Sequence, residues 1–96
     1  MILATCNKAK RLLLVSYIGQ VRTEDVQESL ADVEDLVVEL GPGFRVVADL
    51  THLEAMHLRS PDVLGELMEI LDQGGVHMVA RVIPDPQEGL TRSASS

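Results

Sequence analysis

Aromatic residues are nearly absent from this sequence: Tyr17 and Phe44 stand alone, and there is no tryptophan. Base stacking therefore has no platform, and fifteen acids against eight Lys and Arg leave a formal net charge of −7, the wrong sign for phosphate. Nucleic-acid binding is excluded as a function class. Cysteine is scarce too. Cys6 alone permits no intrachain disulfide and fits a packed thiol in a reducing compartment. Long apolar runs are missing: Leu12 to Val15 and Val46 to Ala48 fall far below the roughly 18 residues of a bilayer span. Met1-Ile2-Leu3-Ala4 has no basic stretch before an apolar one, so membrane insertion is not expected and the cytoplasm is the expected compartment. Glycine-rich phosphate loops are absent, because Gly41, Gly43, Gly74 and Gly75 all read as helix stops.

What is present is a core. At 46% hydrophobic residues, the 96-residue chain has enough Val, Leu, Ile and Met for one folded unit without staples. Ile2 to Cys6 and Arg11 to Ile18 read as two strands joined by a turn at Asn7-Lys8 and closed by Gly19. Leu12 and Leu14 point one way and Leu13, Val15 and Tyr17 the other, as in a strand interior to a sheet. Thr23 occupies a helix N-cap position with Glu24 and Asp25 in the first turn. Val26, Leu30, Val33, Val37 and Leu40 then recur at helical spacing, with Leu36 and Val38 widening the stripe, until Gly41-Pro42-Gly43. Phe44 to Leu50 is a second interior strand. Thr51 to Arg59 reads as a loop, and Ser60-Pro61-Asp62 as an N-cap serine and N1 proline opening a helix to about Gln73. Val76 to Ile83 is a last strand, stopped by Pro84 and Pro86.

The order β-β-α-β-α-β predicts an α/β fold: a mixed four-stranded sheet with an N-terminal antiparallel hairpin and two parallel crossovers, its helices mainly on one face. The domain is expected over 1–84, with 85–96 a polar C-terminal tail or a helix cut short. Two helices cannot cover both faces of such a sheet. A partner, with homodimerisation the simplest case, is expected on the other.

This pattern resembles the STAS domains, the family of bacterial anti-sigma factor antagonists and of the cytoplasmic tails of sulfate transporters. The resemblance lies in the strand ending at Gly19, the acidic helix start, the Pro-Gly stop, and Asp49-Leu50-Thr51-His52-Leu53-Glu54-Ala55-Met56. The family's run there is Asp-Leu-Ser-Gly-hydrophobic, two variable residues, hydrophobic, then Asp-Ser-Ser-Gly. Asp49, Leu50, Thr51, Leu53 and Met56 match it, whereas His57, Leu58, Arg59 and Ser60 stand where the family has Asp, Ser, Ser and Gly. The usual phosphoacceptor motif is thus missing, and Ser60 lies one residue beyond it. The Pro84-Asp85-Pro86 turn also resembles a looser group of STAS-like and lipid-carrier-like bacterial proteins.

Two clusters could carry chemistry. Asp49, His52, Glu54 and His57 offer four potential ligands or proton carriers beyond a strand's carboxyl end, where open α/β sheets bind ligands. The plainer reading has Asp49 accepting loop N–H bonds and the histidines in solvent. Cys6 and His77 could pair only if the outer strands were neighbours, and nothing nearby would lower the thiol pKa. Charge is more informative. Seven acids and no base lie on the first helix, and four acids and no base on the second, a layer that repels anionic surfaces and steers basic ones. The expected function is a non-enzymatic, cofactor-free STAS-like interaction or regulatory domain in a bacterial cytoplasm. Its partner would be a protein such as a regulatory kinase or anti-sigma factor, met at Asp49, Thr51, His52, His57, Arg59 and Ser60. The alternative is a small-ligand or lipid carrier, or less readily an enzyme, using a crevice near Asp49, His52 and His57.

Overall fold

The computed structural model describes residues 1–84, so the expectation for 85–96 lies outside the described residues. Its elements are β1 (Ile2–Asn7), β2 (Leu12–Arg22), α1 (Thr23–Leu40), β3 (Arg45–His57), α2 (Asp62–Gln73) and β4 (Met78–Val82). The strands form one sheet in the order β1-β2-β3-β4. β1 and β2 pair antiparallel with Ile2 opposite Tyr17 and Asn7 opposite Leu12, and the two later pairings are parallel, each spanned by a helix. This is the expected α/β architecture.

Alternation along β2 sorts the two faces. Leu13, Val15, Tyr17 and Val21 are buried, and they meet Val26, Val33, Val37 and Leu40 of α1 and Val63, Leu67 and Leu71 of α2 in one core around the fully buried Phe44. Both helices thus pack on the same face. Leu12, Leu14 and Ile18 point to the opposite face, which no described element covers. Strand pairing places Leu3, Val47, Met78 and Val82 beside them; Leu3 and Met78 are 50% and 53% exposed.

Several boundaries differ from the sequence expectation. Gly19 does not end β2. It takes a positive φ of 68° at an irregularity in the ladder, and the strand continues to Arg22. That extension gives β3 a pairing partner as far as His57, so the expected Thr51 to Arg59 loop is strand over most of its length. Arg22, not Thr23, holds the α1 N-cap, where its N–H donates to Asp25 Oδ2 at 2.9 Å. Val38, expected to widen the buried stripe, is 77% exposed. α2 caps at Pro61 rather than Ser60, and β4 is shorter than Val76 to Ile83. Among the described residues no helix is long and apolar enough to cross a membrane.

Close packing of the two helices depends on Gly74. A Cβ there would overlap Val37 Cγ1 of α1 and lie 3.3 Å from the Ile70 carbonyl. The same, C-terminal, end of α1 shows how an all-acidic helix is completed from outside. Arg11, at φ 51° in the β1–β2 turn, donates from its guanidinium to the carbonyls of Gly41 and Pro42, and Lys8 meets Glu39 at 3.5 Å.

Candidate functional site

The sequence-predicted site residues lie on the second half of β3 and the connection into α2. Two irregularities shape this stretch. β2 advances two residues from Ser16 to Ile18 while β3 advances three, from Asp49 to His52. A second mismatch follows, because Gly19 and Gln20 face Leu53 and Ala55. Such bulges leave backbone groups outside the ladder and re-aim side chains. Asp49 answers the first: its Oδ1 accepts the Thr51 N–H at 3.0 Å and the Thr51 hydroxyl at 2.7 Å. These two bonds, the backbone one first, hold the Asp49 carboxyl below its ordinary range, with a smaller contribution from the charge of His52.

His52, Glu54 and His57 are all exposed, alternating with Leu53 and Met56, which pack toward the core. His52 pairs with Ile18 and His57 with Arg22, so four residues of strand lie between them and their Cα atoms are roughly 16 Å apart at ordinary strand rise. Among the described residues no three His, Cys, Asp or Glu side chains gather as metal ligands would. The cavity beside this part of β3 is lined by Leu50, Leu53, Met56 and Leu64 and opens on the helix-covered face. Cys6 and His77 lie near opposite edges of the sheet, since β1 and β4 are its outer strands.

The β3–α2 connection is anchored to the start of α1. Thr23, buried in the first turn, accepts the Arg59 N–H on its hydroxyl at 2.8 Å, and the Arg59 guanidinium bonds Glu24 at 2.5 Å. That bond, helped by Glu24's own N–H, keeps the Glu24 carboxyl below its ordinary range. Ser60 Oγ accepts the Asp62 N–H at 3.2 Å, satisfying a first-turn donor of α2 from one position before the cap. Arg59 and Ser60 thus come together beside Thr23 and Glu24, while Asp49 and Thr51 form a separate unit farther down the strand. Sequence reasoning missed Thr23 as a site residue. Its hydroxyl reads as a helix cap, and a contact across 36 residues leaves no local signal.

No family model matches this chain, and neither does any curated protein. Solved structures do share its fold. A structure of Mglu superposes with a TM-score of 0.59 at 16% identity, over 88% of this chain; the chain spans 19% of that one. The anti-sigma factor antagonist SpoIIAA in its unphosphorylated form gives 0.57 at 10% identity, over 93% of this chain and 92% of its own. The Bacillus cell fate determinant SpoIIAA in the phosphorylated form gives 0.59 at 10% identity, over 98% and 100%. With its β-β-α-β-α-β order and its antiparallel first pair, the chain has a STAS-like α/β fold shared, nearly end to end, with SpoIIAA.

Proposed function

We propose that this chain is a non-enzymatic, STAS-like interaction domain that pairs with a second copy through its open sheet face and presents Asp49 to Ser60 as its recognition edge to a regulatory protein. The observation that carries the reading is the open face itself. Leu3, Leu12, Leu14, Ile18, Val47 and Met78 place apolar side chains on this face of all four strands, interrupted by Arg45 between Leu12 and Met78 and by Ser16 and Asp49, with no described element above them. Uncovered apolar residues on a sheet face favour an interface, and a two-fold pairing of identical faces hides both at once.

The nearly full-length likeness to SpoIIAA, an anti-sigma factor antagonist, supports a bacterial cytoplasmic regulator whose partner is an anti-sigma factor or regulatory kinase. SpoIIAA is known in phosphorylated and unphosphorylated forms. This chain carries Leu58 and Arg59 where the resemblance places serines, and its Ser60 hydroxyl is engaged with Asp62. Recognition by shape and charge at Arg59 and His57, without a phosphate switch, is the form of regulation these residues favour. Sedimentation of the full chain with Leu14→Glu as the control tests the pairing, and intact mass after exposure to the partner kinase tests the missing switch. The reading requires a dimer that Leu14→Glu converts to monomer, and no added phosphate at Ser60.

A further inference from the structure

The open face of the sheet carries two opposite charges among its apolar residues, both on β3. Strand pairing puts Arg45 between Leu12 and Met78, and Asp49 four residues farther along, with Val47 midway between them beside Leu14. Their Cα atoms are roughly 13 Å apart at ordinary strand rise. Arg45 also turns away from Asp49, donating from Nη2 to the Lys10 carbonyl at 2.9 Å. Asp49 takes both Thr51 bonds on Oδ1, which leaves Oδ2 for a further donor. Among the described residues neither charge is in an ion pair. In a lone chain, water solvates both. A dimer that covers this face removes that water, and a charge buried without an opposite one costs more than the burial of a neighbouring apolar side chain returns. Two copies that stack on this face must therefore bring each charge its partner.

We infer that two copies pair with their strands antiparallel, about a two-fold axis that crosses β3 at Val47, so that Arg45 of each copy meets Asp49 of the partner subunit. Stacked sheets lie about 10 Å apart with their strands within about 30° of each other, which leaves identical faces two aligned arrangements. With the axis along the strands, both copies run the same way, and the arginines gather at one end of the seam and the aspartates at the other. Like charges brought together in this way oppose association. With the axis across the strands at Val47, residues two before Val47 face those two after it. Arg45 and Asp49 hold those two positions. Val47 and Leu14 then meet their own copies at an apolar centre, flanked by two identical Arg–Asp contacts. A slip of two residues along β3 would set Arg45 against Val47, so the charges choose register as well as direction, the best-attested use of buried ionic groups. Inside the seam, salt screens these contacts little.

This arrangement rests on the proposed pairing of open faces, and Asp49, the first residue of the recognition edge, then lies at its seam. Sedimentation equilibrium of the full chain tests the two separately. Arg45→Asp and Asp49→Arg each set like charges against one another at both contacts, and each should weaken the dimer more than about a hundredfold. Mixed one to one, the two variants should sediment as a dimer, because every contact is then Arg against Asp. The chain carrying both exchanges should dimerise by itself. Asp49 also holds Thr51, so a gentler pair keeps an acceptor oxygen there: Arg45→Gln and Asp49→Asn should each weaken the dimer about tenfold, and together no more than either alone. A dimeric parent whose single exchanges stay dimeric, or whose neutral variants add independently, overturns the arrangement and leaves the pairing standing. So does a mixture that stays at single-chain mass while both variants keep the parent's circular dichroism. A single-chain parent removes the pairing itself, and this arrangement with it.

Discussion

Single residues decide the local chemistry here through hydrogen bonds made by exposed carboxylates. Asp49 is held deprotonated by the Thr51 N–H and hydroxyl, and Glu24 by Arg59. Both carboxyls titrate lower folded than unfolded, so each adds stability above the ordinary carboxylate range and loses it as the pH falls through the folded value. Carbon-detected titration should place the Glu24 midpoint below 4.5 in the parent and return it toward 4.5 in Arg59→Gln. A Glu24 midpoint indifferent to Arg59 would dissolve the link between the β3–α2 connection and α1. Tyr17 moves the other way. Burial raises its phenol above 10.0, so ultraviolet titration should show its ionisation lagging a model phenol, and the stability it adds is lost as the pH rises through that midpoint.

Packing supplies the second residue-scale contrast. Gly74→Ala drives a methyl into Val37, an overpacking that costs about 1–3 kcal/mol in chemical denaturation, although alanine is the better helix former. Phe44→Ala should cost about 3–5 kcal/mol, since that ring is fully buried between both helices and the sheet. Val38→Lys should change stability by less than about 0.5 kcal/mol, because its side chain faces solvent. Equal losses at Phe44 and Val38 would mean that α1 is rotated from the position described.

Elements differ in how much of them the sequence displays. α1 and α2 are legible because Val26, Val33, Val37 and Leu40, like Val63, Leu67 and Leu71, keep a helical period that only one buried face explains. β3 is different. Its first half reads as strand from the run Val46-Val47-Ala48 about the buried Val46, but the stretch from Thr51 to His57 breaks the period at both bulges and so resembles a loop. Gly19 hides the same fact on β2, since a glycine that ends a strand and one that accommodates a bulge look alike in one dimension. The candidate site inherits this illegibility. Asp49, His52 and His57 sit close in sequence, and proximity suggests a cluster, yet an extended chain spreads them along an edge. Thr23 and Arg59, distant in sequence, are the pair that the fold brings into contact.

For the molecule as a whole, charge and apolar surface separate by face. The eleven acids of α1 and α2 crown one side of the sheet, answered at the ends by Lys8, Arg11 and Arg59 from turns and connections. The other side is a sheet face mainly of leucine, isoleucine, valine and methionine, with Arg45 and Asp49 among them and no described cover. Raising the salt concentration should therefore leave self-association intact or strengthen it, because burial of the apolar side chains on the open face is not weakened by screening. The claim on which the rest stands is that the open face of the sheet is an interface. Sedimentation equilibrium of the full chain at high micromolar concentration tests it directly: the account predicts twice the 10.5 kDa chain mass, reduced to one chain by Leu14→Glu with the fold intact. A single-chain mass for the parent at that concentration would contradict it.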